Sequence, residues 1–198
     1  MTRLLDVALA AVGLLLLTPL LAAIAVAVKL TSRGQALYHA ARVGKNGRTF
    51  TLIKFRSMFV PASSDQPRLT RHGDVRITPV GRILRRWKLD ELPQLYNVLR
   101  GDMSLVGPRP EDPKYVALYT LDERRVLTVR PGITSAVSLS YRNEDALLDR
   151  EDWEQHYIGV VMRDKLRREL ADLDRRSIAS YLSVLMRTLL AVLRRPRS

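Results

Sequence analysis

Hydrophobic and polar positions divide the chain into stretches of different period. From Val7 to Val28, 22 consecutive residues carry no charge, long enough for a helix that crosses the apolar core of a bilayer. Thr18-Pro19 interrupts the middle of this run. Proline removes a backbone donor and crowds the preceding turn, so a kink near Thr18 is expected. Lys29, Leu30 and Thr31 follow the run where a secretory signal would place a small-residue cleavage site, and that reading is rejected. Arg3 lies before the run, and Lys29, Arg33, Arg42, Lys45 and Arg48 lie after it. Lys and Arg favour the cytoplasmic side. Two readings stay open on composition: a kinked spanning helix, or one that enters the membrane, turns and leaves on the same side.

The pattern then shortens to period two. Ala36 to His39 and Thr49 to Arg56 read as strands, joined through Asn46-Gly47, two residues that tolerate the positive φ of a tight hairpin. Thr51, Ile53 and Phe55 share one face of the second strand, and Lys54 and Arg56 share the other. Pro61 to Arg76 is polar and aperiodic, a long loop that includes His72. Helical period returns at Thr78-Pro79, an N-cap followed by proline, with Val80, Ile83, Leu84 and Trp87 as the apolar stripe and Arg82, Arg85 and Arg86 off it. A second helix is expected from Asp90 to a C-cap at Gly101, with Leu92, Leu95, Val98 and Leu99 inward. Gly107-Pro108-Arg109-Pro110 holds Arg109 on stiff backbone, and Arg130-Pro131-Gly132 predicts a type II turn with Gly132 in its left-handed position. From Glu151 to Ser198 the chain is helical and basic. Ile178, Tyr181, Leu182, Leu185, Leu189 and Leu193 recur at helix spacing, and Arg187 within the run favours a helix lying in the headgroup region over a span.

These elements predict an α+β chain, mostly helical with a small β-hairpin. Residues 1–30 form the membrane helix, 31–150 a catalytic domain, and 151–198 a basic, membrane-associated helical region. Charge sharpens the picture: the 198 residues carry a net +13, which draws anions, whether phosphorylated substrates or acidic headgroups. Nucleic acid is rejected as a partner, because aromatics are only 6%, no recognition motif occurs, and a membrane segment has no place in such a protein. The absence of cysteine excludes thiolate chemistry, and three scattered histidines (His39, His72, His156) do not make a triad or a metal site.

Asp90-Glu91 at a helix start has an ordinary explanation, since Asp caps helices and Glu suits the dipole there. The surrounding cations argue for more. Lys54, Arg56, Arg85, Arg109 and Arg130 lie in or beside short ordered elements, and guanidinium forks match phosphate oxygens. A carboxylate amid such cations is able to attack phosphorus and form an acyl phosphate. The chain has neither a P-loop nor a Gly-rich dinucleotide loop, so side chains and helix ends must bind phosphate.

Three stretches, KFRSM (Lys54 to Met58), LDELPQLYNVLRGDMSLVGPRP (Leu89 to Pro110) and RPGIT (Arg130 to Thr134), resemble the small monotopic phosphoglycosyl transferases, or bacterial sugar transferases. The likeness extends to about Asn143 and includes Thr18-Pro19. It implies a re-entrant helix broken at Thr18-Pro19 with both ends cytoplasmic, at a bacterial inner membrane. It implies a ping-pong reaction in which Asp90 attacks the β-phosphate of a UDP-sugar, UMP leaves, and polyprenol phosphate takes the sugar phosphate. Glu91 then serves positioning or proton transfer; Arg85, Arg109 and Lys54 match the cations near the phosphates; magnesium is expected, with Asp90 its protein ligand. Ser135-Ala136 stand where the family often has Gly-Trp, Tyr141-Arg142-Asn143 matches loosely, and the sugar is not specified. The charged stretch 151–176 suits lipid contact or self-association as a homo-oligomer. A non-catalytic peripheral protein holding anionic lipid is the rival reading, and it leaves the Asp90-Glu91 and Pro-Arg-Pro clusters as coincidence.

Overall fold

A computed structural model describes residues 2–59, 73–142 and 152–193, with Leu147 between them. The α+β expectation holds. The elements are α1 (Arg3–Thr31), β1 (Leu37–Val43), β2 (Thr49–Phe55), α2 (Pro79–Arg86), α3 (Gln94–Arg100), β3 (Ser104–Val106), α4 (Pro113–Val116), β4 (Gly132–Thr134), α5 (Ala136–Ser140), α6 (Trp153–His156), α7 (Met162–Asp174) and α8 (Ile178–Leu193). A π-helical turn, Tyr157–Val161, joins α6 to α7.

The hairpin forms as expected. β1 pairs antiparallel with β2 from Leu37↔Phe55 to Val43↔Thr49, so β1 is longer than its sequence suggested. Asn46 and Gly47 in the turn both take positive φ. β3 and β4 form a second, parallel pair that periodicity did not reveal. Gly132 belongs to this pair and not to a left-handed turn. Its constraint is proximity: an added Cβ would sit 2.0 Å from the Gly107 backbone nitrogen.

Helix α2 begins as read, with Thr78 Oγ1 accepting from Gly81 N at 2.9 Å, though Ile83 is exposed and Leu84 carries the packing. The next helix does not begin at Asp90. Leu89–Glu91 is a 3₁₀ turn, and α3 starts only after Pro93, whose ring cannot continue a helix behind it. Gly101 closes α3 in the left-handed conformation, as expected.

Helix α1 runs without a break through Thr18-Pro19, so the pair lies inside one helix and does not separate two. Thr18 Oγ1 donates to Leu14 O at 2.7 Å, a bond that occupies a carbonyl one turn back. Both ends of α1 are fastened to the same folded body. Arg3 donates to the terminal carbonyls of α3, Val98 O at 2.6 Å and Leu99 O at 3.0 Å. Asp6, only 2% exposed, accepts from Ser104 Oγ at 2.9 Å, Leu105 N at 2.8 Å and Tyr181 Oη at 2.6 Å. At the other end Ile24 and Val28 pack on Phe55 and Leu84. Between its ends α1 exposes Val12, Leu15, Leu16 and Val26.

The cores draw on all three segments. Tyr157, Val161, Met162, Leu166 and Leu170 pack with Val43, Tyr115, Tyr119 and Val126, and Ala10 and Tyr181 pack with Leu52, Val98 and Met103. On α8, Tyr181 is buried while Ile178, Leu182, Met186, Leu189 and Leu190 are exposed, so apolar residues occupy both faces. The expected loop at 61–76 falls largely outside the described residues, as do His72, Asn143, Glu151 and the terminal arginines.

Asp6 lies outside the uncharged run and drew no notice in the sequence, yet it joins α1, β3 and α8. Replacing it with alanine strands three buried or half-buried donors. Asp6→Ala is expected to cost about 3 kcal/mol of stability, and Asp6→Asn, which keeps one acceptor, less. Chemical unfolding in detergent measures both; equal stability of Asp6→Ala and wild type would remove Asp6 as the junction.

Candidate active site

Three elements meet around Asp90 and Glu91. β2 supplies Lys54, the end of α2 supplies Arg85, and the Pro-flanked segment after β3 supplies Arg109. The carboxylates sit on the 3₁₀ turn because Lys88, at φ 56°, reverses the chain after α2. That conformation is costly for a residue with a Cβ. Asn97, completely buried on α3, fixes the turn relative to β2: its side chain donates to Thr51 O at 2.8 Å and accepts from Ile53 N at 3.0 Å. It thereby occupies the outer edge of β2 beside Lys54. Sequence reading missed Asn97; its signal is a polar residue on the inward stripe of Leu95, Val98 and Leu99.

Arg109 is set by its neighbours. Gly107 N donates to Thr134 O and Gly132 N to Pro108 O, both at 2.9 Å, which lash the loop to β4. The guanidinium then grips Glu91 with two prongs, 2.8 Å to Oε1 and 3.3 Å to Oε2. Lys54 lies across the hairpin from Tyr38, its ammonium 5.5 Å from the ring centroid, a cation–π contact.

The two carboxylates are driven apart electrostatically. Burial pushes Asp90 up, Glu91 beside it adds to the rise, and Lys54, Arg85 and Lys88 only partly oppose them. Burial acts on Glu91 as well, but the charge and hydrogen bonds of Arg109, with Lys88 and Lys54, outweigh it and hold Glu91 at about 2. Glu91 is therefore an ionised, committed partner. Asp90 is 5% exposed, and its carboxylate accepts no hydrogen bond among the described residues; its Oδ1 is fully buried. An N-cap would accept from backbone, so capping does not explain Asp90.

Lys54, Arg85 and Arg109 are thus brought to the carboxylate pair, and two other predicted cations are not. Arg56 follows the last residue of β2, where strand alternation no longer governs direction. It is buried and donates to Arg33 O at 2.7 Å, Ser32 O at 2.8 Å and Ser32 Oγ at 2.9 Å, closing the end of α1. Arg130 donates to Gly101 O at 2.9 Å and closes the end of α3. Among the described residues no group of three His, Asp or Glu is placed to hold a metal. The buried, unpartnered Asp90 oxygen is the one feature here that suits a cation shared with phosphate.

A profile of the family described as bacterial sugar transferase matches residues 1–195. The chain is 46% identical over 146 residues to an undecaprenyl-phosphate glucose phosphotransferase of Komagataeibacter xylinus, covering 70% of this chain and 27% of that protein. It is 38% identical over 168 residues to the exopolysaccharide production protein ExoY of Sinorhizobium fredii (strain NBRC 101917 / NGR234), covering 77% of this chain and 74% of ExoY. It is 38% identical over 165 residues to a UDP-glucose:undecaprenyl-phosphate glucose-1-phosphate transferase of Klebsiella pneumoniae, covering 81% of this chain and 36% of that protein. The chain therefore spans most of ExoY but well under half of the other two relatives.

Burial beside Asp90 and Glu91 lowers Lys54 to about 8, desolvation outweighing the two carboxylates. A folded pKa below the unfolded value means that this group adds stability as pH rises from about 8 toward 10.5, while the ammonium itself is lost. Amine labelling followed by mass spectrometry should reach half its extent at Lys54 near pH 8, ahead of the exposed lysines. Labelling of Lys54 with an ordinary lysine profile would contradict its desolvation.

Proposed function

This chain belongs to the bacterial sugar transferase family, and from that premise we propose that it moves a sugar-1-phosphate from a UDP-sugar to a polyprenol phosphate and releases UMP. The observation that carries the reading is Asp90: a buried carboxylate with no hydrogen-bond partner among the described residues, ringed by Lys54, Arg85 and Lys88. A carboxylate raised by burial is more basic than usual and correspondingly more nucleophilic. Asp90 forms an O–P bond to the β-phosphorus as the bond from that phosphorus to the bridging oxygen breaks, and UMP departs with the bond's electrons. The phosphate oxygen of the polyprenol then bonds to the same phosphorus, the acyl–phosphate bond breaks, and Asp90 is regenerated.

Each cation has a distinct part. Lys54 and Arg85 offset the repulsion between Asp90 and the incoming diphosphate. Glu91 keeps Arg109 in place until phosphate oxygens compete for its fork. A magnesium ion would be held by the buried, unpartnered carboxylate of Asp90, since this ion accepts one or two carboxylates beside substrate phosphates. When bound it supplies neutralising charge at the diphosphate.

The acceptor class follows the relatives, whose names specify undecaprenyl phosphate. It also agrees with a monotopic placement at the cytoplasmic face of the inner membrane. A helix of 29 residues is long enough to span the ~30 Å hydrocarbon layer. Both ends are fastened to one folded body, at Arg3 and Asp6 and again through Ser32 and Arg33, which supports reading them as lying on one side. The exposed apolar side chains of α1 and α8 then face lipid, and the net charge of +13 favours anionic headgroups.

Asp90→Asn separates nucleophile from structural residue, because an amide keeps the shape but cannot form the acyl phosphate. Wild type given a UDP-sugar without polyprenol phosphate should gain the mass of one sugar phosphate, and Asp90→Asn should gain none and release no UMP while remaining folded. Substantial UMP release by folded Asp90→Asn would rule out this mechanism. For topology, a Cys placed at Thr2 should stay unlabelled by a membrane-impermeant thiol reagent in intact cells and react once the cells are opened. Labelling in intact cells would place the N-terminus outside.

A further inference from the structure

Lys54 is held in a different way from the arginines of the same sequence motifs. Arg109 grips Glu91, and Arg56 and Arg130 donate to backbone carbonyls. Lys54 makes no hydrogen bond or ion pair among the described residues. Its ammonium lies over the ring of Tyr38, 5.5 Å from the centroid. The two residues stand directly opposite across the hairpin, so their side chains share one face of it. Tyr38 is 49% exposed, and its hydroxyl makes no hydrogen bond among the described residues. Neither burial nor the hydroxyl accounts for a tyrosine here; the ring face over Lys54 does.

Other ring contacts in the chain differ. Lys114 lies 5.7 Å from the Tyr115 centroid but also pairs with Glu154 at 2.6 Å. Arg168 lies 5.7 Å from the Tyr141 centroid but also pairs with Asp164 at 2.7 Å. A carboxylate partner occupies N–H donors and cancels charge. An aromatic face attracts the charge through its quadrupole and takes up no donor, and an ammonium has three donors to offer.

We infer that Tyr38 is a positioning residue whose ring keeps the Lys54 ammonium beside Asp90 with its donors free for phosphate oxygens. The inference rests on the proposed sugar-phosphate transfer for the identity of those oxygens, and adds the residue that prepares the cation. Desolvation works against charge on Lys54; Asp90 and then Glu91 favour it, and Arg109 and Arg85 oppose it, with a net fall to about 8. A ring face stabilises only the charged form and so limits that fall. A direct ion pair with Asp90 would also limit it, but it would cover the carboxylate that must stay open to phosphorus. The ring holds the cation without covering Asp90.

The test removes the ring and then restores it, in the full chain in detergent. Tyr38→Leu keeps an apolar side chain over Lys54 but has no π face. Amine labelling of Lys54, read by mass spectrometry, should reach half its extent at a pH about 0.5 to 1 lower than in wild type, because only the charged form loses a partner. Other lysines in the same digest should keep their profiles and so report on the fold. Tyr38→Phe restores the ring without the hydroxyl and should recover the wild-type profile at Lys54. With a UDP-sugar as substrate, kcat/KM for UMP release above the Lys54 midpoint should fall about threefold to tenfold in Tyr38→Leu, the same change read as activity. Tyr38→Phe should recover that as well. An unchanged or upward-shifted Lys54 profile in Tyr38→Leu, an unchanged kcat/KM, or a Tyr38→Phe protein that behaves like Tyr38→Leu would each overturn the inference. Labelling that follows the ring in a protein that releases no UMP sinks the transfer reading alone. UMP release with labelling indifferent to the ring sinks the role of Tyr38 alone.

Discussion

The arrangement depends on Asn97. A two-stranded hairpin has two bare edges, and an unpaired strand edge in a folded interior leaves backbone groups unsatisfied. One carboxamide completes the outer edge of β2 at Thr51 O and Ile53 N, as a third strand would. Because Asn97 belongs to α3, the bond does more than fill an edge. α3 is the continuation of the turn that carries Asp90 and Glu91, and β2 carries Lys54. Cation and carboxylates come from segments far apart in the chain, and this double hydrogen bond, made by a fully buried Asn97, sets the distance between them.

Around that joint, charge is allocated unequally. Of five cations near the short elements, Arg56 and Arg130 are spent on helix ends, at Ser32–Arg33 and at Gly101. This use is structural: the guanidiniums satisfy carbonyls of the residues that leave the helices, Ser32 and Arg33 after α1 and Gly101 after α3. Arg109 is committed to Glu91. Asp90 is left with neighbouring positive charge but no hydrogen bond among the described residues. A pair of adjacent carboxylates thereby becomes two different groups, one fixed and ionised, the other poised.

How much of this was legible follows from the range of the forces involved. Features set by neighbours in sequence came through: the Asn46-Gly47 turn, the Thr78 cap, the Gly101 stop and the stiffening of Arg109 by its prolines are all local backbone chemistry. Features set by distant chain did not. β3 and β4 are three residues each and pair in parallel across an intervening stretch, too short to show a period. Gly132 suggested a turn because a sequence does not report that Gly107 backbone will press against it. Arg56 was assigned to the Lys54 face by an alternation that ends one residue earlier. Asp90 was placed at a helix start because Asp caps helices, whereas Pro93 delays the helix and leaves Asp90 on a tighter coil. The motif residues were readable as candidates; their division between scaffold and chemistry was not.

The N-terminal helix shows the same division between composition and context. By length and apolarity it qualifies to cross a bilayer, and within residues 7–28 only Thr18-Pro19 argued otherwise, a pair through which the helix runs unbroken. The decisive groups lie outside that run: Arg3 and Asp6 before it, Ser32 and Arg33 after it. A buried carboxylate gripping three donors, and a buried arginine capping the opposite end, bind both termini of the helix to the body that bears the carboxylate pair. Such a helix is less a tether from which a domain hangs than one wall of the domain. Its exposed apolar side and the site at Asp90 are thereby joined through one folded body, and under the proposed membrane placement the depth of α1 would set the height of Asp90. Polar anchors at the ends of an apolar helix thereby connect its exposed face to the carboxylate pair.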